Sequence, residues 1–135
     1  MFLDNLSEEH KNLFIDLAVI AMEANGSVDD SETALLEKYC REMAIQYRDK
    51  AQNSDCDKVL ERLRDISDEV TLKKITIEIT TLLYIDNNLA DEEDELLNKI
   101  QEKFQFSAHL MGELIFVTKH LMLSMSLAQG IIYRY

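Results

Sequence analysis

The chain has 135 residues, of which 47 % are apolar and 30 % are charged, and its formal net charge is −12. This charge argues against a nucleic-acid-binding protein, which needs a basic face to neutralise phosphates, and against docking on an anionic membrane surface. The sequence contains no proline and only three glycines, which favours helices over a sheet with tight turns.

The first elements are predicted to be two helices joined by a polar turn. Ser7 is followed by two acidic residues and is expected to cap the first helix. Gly26 is expected to end that helix, because glycine adopts the left-handed conformation without steric cost. Asp29 and Glu32 have the spacing of a capping box, so the second helix is predicted to begin there.

A polar segment, residues 48–57, follows the second helix and is predicted to be the boundary between two halves of the chain. A short helix is expected over residues 59–66, and Asp68 is expected to cap the next one. That helix is predicted to end near residues 86–88, and a further helix to begin at about residue 90.

The last predicted helix begins at Ser107, extends to about residue 128 and is apolar on almost every side. Such a helix is normally surrounded by others, so it is expected either at the centre of the bundle or half-exposed as a docking face. Glu113, Lys119 and His120 interrupt this apolar segment and argue against an integral membrane span.

The first turn region recurs 61 positions later in the sequence. Four pairs of identical residues show the match: Asp30 and Asp91, Glu32 and Glu93, Leu35 and Leu96, and Leu36 and Leu97. The pattern predicts a single all-α domain, a helical bundle with two pseudo-repeated helical hairpins. The repeat halves are expected at about residues 12–47 and 72–106.

The residues of the first turn resemble a known family. Ala24-Asn25-Gly26-Ser27-Val28 followed by Glu32 is similar to the Ala-Asp-Gly-x-hydrophobic-x-x-x-Glu signature of TerB-like domains, the tellurite-resistance family. Ile85-Asp86-Asn87-Asn88-Leu89 with Glu93 matches it more loosely. The resemblance implies an all-helical domain of six or seven helices with acidic turns and a role in stress responses, without an established catalytic activity. Asn25 stands where the signature usually has Asp.

The acidic turns permit two interpretations. Carboxylates in a first helical turn are stabilised by exposed N–H groups and by the helix dipole, which explains most of them without a function. Asp86, however, lies in a predicted last turn, where a carboxylate is disfavoured; either an Asx turn or a bound cation would offset this. The candidate ligands for Ca²⁺ or Mg²⁺ are Asp86, Asp91 and Glu93, with Asp30 and Glu32 in the first copy. The spacing does not fit an EF-hand.

No catalytic motif is visible, so we do not expect an enzyme. Cys40 and Cys56 have no CxxC spacing, and the first residues do not have the pattern of a signal peptide, which predicts a cytoplasmic protein. The leading prediction is a TerB-like interaction or stress-response module with a protein partner. It would bind through its acidic turns and its apolar last helix. The alternative is a protein that binds or senses a divalent cation.

Overall fold

The computed structural model describes residues 1–24, 29–85 and 91–134, and for residues 91–93 it describes the backbone only. These residues form six helices and no strand, which confirms the predicted all-α class. The helices are α1 (Glu8–Glu23), α2 (Asp30–Glu42), α3 (Cys56–Ile66), α4 (Glu69–Tyr84), α5 (Asp91–Lys103) and α6 (Ala108–Arg134).

The helices begin at the predicted capping residues. The Ser7 side chain accepts a hydrogen bond from the His10 N–H, and Asp68 accepts one from the Thr71 N–H at 2.8 Å. Asp29 forms the predicted capping box, and its carboxylate accepts from the Glu32 N–H at 2.8 Å. Gly26, which was predicted to end α1, lies outside the described residues.

The helix pairs α1–α2 and α4–α5, which were predicted as hairpins, have matching lengths: α1 and α4 have 16 residues each, and α2 and α5 have 13 each. The bounds of α4 and α5 lie 61 residues after those of α1 and α2. The ends of α2 and α5 match as well, because each is followed by a residue with positive φ, Ala44 at 56° and Gln105 at 58°. A 3.0 Å hydrogen bond spans each end, from the Ile45 N–H to the Cys40 carbonyl and from the Phe106 N–H to the Gln101 carbonyl. Both ends are therefore Schellman-type caps.

The core lies between α1 and α4, which pack against each other. Each of these helices buries eight residues, whereas α6 buries only three. On either side of this pair, α3 packs against α1 and α6 packs against α4. The packing of α3 extends to α5, whereas the principal contacts of α6 are with α4 alone. The prediction that α6 occupies the centre of the bundle is wrong, and the alternative, a half-exposed α6, is confirmed.

The last helix is longer than predicted, because it continues past residue 128 to Arg134. Gly130 lies within it, and a single glycine costs a helix only about 1 kcal/mol relative to alanine. No proline or polar cluster accompanies this glycine, so nothing local ends the helix before Arg134. Tyr133 is 85 % exposed at this end of the helix.

Candidate interaction surface

The first acidic turn is organised as a helix cap. Glu32 is only 2 % exposed, and its carboxylate accepts a hydrogen bond from the Asp29 N–H at 3.4 Å. Asp30, in contrast, is exposed to solvent. The described geometry therefore places Glu32 in the capping box of α2 and Asp30 in its exposed first turn, and the cation site at these two residues stays a prediction.

The second acidic turn lies largely outside the described residues. Asp86 is among the residues that the structure does not describe, and for Asp91 and Glu93 only the backbone at the start of α5 is described. In residues 1–24, 29–85 and 94–134, no group of three or more His, Cys, Asp or Glu side chains could hold a metal ion. The cation site at Asp86, Asp91 and Glu93 stays a prediction.

A buried carboxylate that the sequence analysis did not select holds the connection between α2 and α3. Asp16 on α1 is 3 % exposed and pairs with the Arg48 guanidinium at 2.8 Å. It also accepts hydrogen bonds from the backbone N–H groups of Gln52 at 2.8 Å and Asn53 at 3.2 Å. The signal in the sequence is that Asp16 is the only charged residue in the apolar run from 13 to 22. Its bonds attach this connection to α1, which is a structural role.

A second buried carboxylate has a similar role at the start of the chain. Glu78 on α4 is 5 % exposed and accepts a hydrogen bond from the Phe2 N–H at 3.0 Å. Glu42 accepts from the Leu3 N–H, and the Leu3 side chain is fully buried. The Tyr39 hydroxyl donates to the Glu78 carbonyl at 2.7 Å, and burial raises the pKa of Tyr39 well above its ordinary value. This tyrosine therefore stays protonated and acts as a hydrogen-bond donor.

Two clefts stand out among the described residues, and both are small. The larger holds about 260 Å³ and is lined by Arg64, Phe104 and Phe106 among others. The other holds about 190 Å³ beside Tyr47 and Thr33. Binding sites for small organic molecules usually hold about 300–1,000 Å³, so neither cleft resembles a substrate pocket.

The largest unexplained feature of the described residues is the apolar outer face of α6. We call the residues Phe116, His120, Leu123, Leu127 and Ile131 the α6 stripe. Its four large apolar side chains, Phe116, Leu123, Leu127 and Ile131, are 65 %, 55 %, 60 % and 57 % exposed, in that order. Large apolar side chains on a surface helix normally face the core. A contiguous exposed row of them is typical of a binding surface.

The stripe lies opposite the face of α6 that packs on the bundle. The buried residues of α6 are Met111, Leu114 and Thr118. Because each residue of a helix is rotated by about 100° from the one before it, these three lie on the far side of α6 from Phe116 and Leu123. His120 is exposed, and the centroid of its ring lies 4.2 Å from the centroid of the Phe116 ring. The stripe is therefore uncovered even where α6 packs against α4.

Among the described helices, α6 alone has the length and apolar composition of a membrane span, and 6 % of its apolar window is buried. Its run without Asp, Glu, Lys or Arg is limited by Lys119 and Arg134 and contains 14 residues, which extend about 21 Å in a helix. The hydrocarbon core of a bilayer is about 30 Å thick. With Lys119 as its one charged residue, however, the segment 114–133 extends about 30 Å, which matches that thickness, so the absence of an integral membrane span stays a prediction.

Comparisons with known proteins identified no relative. No protein-family model, no curated protein and no solved structure matches the chain.

Proposed function

We propose that the protein is a non-enzymatic helical interaction module that binds another protein through the α6 stripe. The observation that carries this proposal is the exposure of the four apolar side chains of the stripe. Exposed apolar surface is costly in water, and covering it with another protein recovers about 25 cal/mol for each Å² that is buried.

The described carboxylates support a binding module rather than an enzyme. Asp16, Glu32 and Glu78 are the buried acidic residues among those described, and each accepts a hydrogen bond from a backbone N–H group. A carboxylic acid that serves as a catalytic acid needs a raised pKa beside a substrate pocket. The two clefts described above, of about 260 and 190 Å³, are smaller than such a pocket usually is.

We also propose that the chain is a TerB-like domain with a role in stress responses. The turn signature at residues 24–32 supports this assignment. So does the 61-residue spacing of the two helix pairs, α1–α2 and α4–α5, with their matching caps at Ala44 and Gln105. The TerB-like proposal and the α6 proposal rest on different observations, and each can fail without the other.

Photo-crosslinking in cells tests the α6 proposal. A photoreactive amino acid at Leu127 is expected to form an adduct with a protein. The same amino acid at Asn98, which is exposed on α5 far from the stripe in sequence, is the control and should form few adducts. If the residue at Leu127 reacts only with lipid, or with nothing, the α6 proposal is wrong.

Vesicle flotation tests the competing lipid explanation. Purified protein mixed with neutral phosphatidylcholine vesicles is expected to stay in the soluble fraction, because the proposal assigns the α6 stripe to a protein partner and not to lipid. Neutral vesicles remove the repulsion that the net charge of −12 would cause at an anionic surface. Stable flotation that is lost on replacing Leu127 by Glu would contradict the proposal.

A further inference from the structure

We infer that the partner of the α6 stripe is a second copy of this chain, with the two α6 helices paired antiparallel. This inference rests on the proposed function and adds the identity of the partner. Phe116, His120, Leu123 and Leu127 are spaced by four, three and four residues. This is the a/d spacing with which two helices pack side by side. A two-fold axis would bring the same stripe of both copies together.

The charges on α6 favour the antiparallel direction. In the proposed antiparallel register, Leu123 of one copy lies opposite Leu127 of the other. Arg134 of the first copy then lies opposite Phe116 of the second. Glu113 of the second copy is three residues from that Phe116. Three residues correspond to about 4.5 Å along the helix axis, which is within reach of an arginine side chain. Two-fold symmetry repeats this pairing of Arg134 with Glu113 at both ends of the contact. Glu113 also pairs with His109 on its own helix at 3.0 Å, and it has a second oxygen for the arginine.

The negative charge of the chain does not oppose this arrangement. The whole chain carries −12, whereas α6 contains one acidic residue, Glu113, and two basic ones, Lys119 and Arg134. The negative charge therefore lies in the bundle, which packs on the side of α6 opposite the stripe. Two paired helices would separate the bundles by roughly 20 Å, whereas charges are screened over about 8 Å at physiological salt.

The size of the stripe suits a dimer of moderate affinity. Each of its four large apolar side chains is more than half exposed and presents on the order of 100 Å². With the flanking positions, two copies would bury roughly 1,000 Å² in total, near the lower limit for a specific interface.

Sedimentation of the purified protein over a range of concentrations tests the inference. We expect a reversible dimer, and we expect Leu127→Glu to raise its dissociation constant at least about 100-fold, because two-fold symmetry places the change in both copies. Met125→Glu is the matched control. Met125 is 54 % exposed and lies about 160° around the helix from Leu127, so the same substitution there should leave the dimer intact.

A cysteine-pairing experiment tests the direction without a disruptive substitution. In a Cys56→Ser background, a Leu123→Cys chain and a Leu127→Cys chain are mixed and oxidised. The antiparallel register predicts that the mixed disulfide dominates over both homodimeric disulfides. Dominant homodimeric disulfides would indicate a parallel pair and overturn the inference. Cys40 is 2 % exposed and does not compete.

The outcomes separate this inference from the proposed function. A chain that stays monomeric at all concentrations, or a dimer that Met125→Glu weakens as much as Leu127→Glu does, overturns the second-copy inference. Adducts at Leu127 with a different protein would then still support the α6 stripe as a docking surface. Adducts of twice the mass of the chain support both.

Discussion

Replacing Asp16 by alanine tests how the connection between α2 and α3 is held. Asp16 is 3 % exposed and accepts three hydrogen bonds, from the Arg48 side chain and from the N–H groups of Gln52 and Asn53. The alanine variant loses all three acceptor contacts and leaves two partly buried N–H groups without this partner. We therefore expect the segment at Gln52 and Asn53 to separate from α1, while the Arg48 guanidinium keeps its 2.9 Å hydrogen bond to the Asn12 carbonyl.

The magnitude follows from these contacts. Each N–H group that is left without an acceptor costs about 1 kcal/mol or more, and loss of the ion pair with Arg48 adds about 1 kcal/mol. The Arg48 side chain is 20 % exposed, so water screens part of its charge, and the larger figures for deeply buried pairs do not apply. The expected loss of unfolding free energy is about 3 kcal/mol, which lowers the melting temperature by roughly 10 °C.

Urea unfolding followed by circular dichroism measures this loss, and amide hydrogen exchange locates it. The Gln52 and Asn53 N–H groups should exchange faster in the Asp16→Ala variant. Asp16→Asn keeps one carbonyl acceptor and should cost less, about 1–2 kcal/mol. Asp65→Ala is the control, since Asp65 is an exposed acidic residue on α3. A loss below about 1 kcal/mol for Asp16→Ala would refute the proposed role of this carboxylate.

Three further predictions concern single residues. Ala44→Gly should raise the unfolding free energy, measured by urea titration, by about 0.5–1 kcal/mol. The reason is that Ala44 is exposed and has φ of 56°, which only glycine adopts without strain. A loss of stability would contradict this prediction. The backbone hydrogen bond from the Glu32 N–H, together with the bond from Ser31, holds the pKa of Asp29 below its ordinary value of 3.8. The carboxylate of Asp29 therefore adds stability that is complete above about pH 4 and is lost as the pH falls through the lowered pKa. In the Asp29→Asn variant, the melting temperature should fall less when the pH is lowered through this range. Burial raises the pKa of the thiols of Cys40 and Cys56. In the native protein, the buried Cys40 should react with a thiol reagent far more slowly than the half-buried Cys56. Equal reaction rates would show that Cys40 is accessible.

The helices and their starts could be predicted from the sequence, because they depend on neighbouring residues. Ser7, Asp29 and Asp68 cap the helices at which they were predicted, since each interaction spans only three residues. The sequence has no proline that would end α6 early. The end of this helix was nevertheless predicted near residue 128, whereas it lies at Arg134.

Two features of the tertiary structure could not be predicted in this way. Asp16 finds its partners more than thirty residues away, so its spacing along the chain gave no indication of them. The exposure of α6 on every side from residue 123 to residue 134 was not predictable either, because a helix that is apolar on almost every side has no preferred face.

Local chemistry in the sequence therefore determined the all-α class of the protein and the capped starts of α1, α2 and α4. The tertiary structure alone decided that α1 and α4 form the centre and that α6 lies outside them with its stripe exposed. The physical reason is that capping is a short-range hydrogen-bonding preference. Burial, in contrast, depends on how all the helices pack against one another, which involves residues far apart in the sequence. Each of α1 and α4 has eight buried residues, so these two helices form the centre.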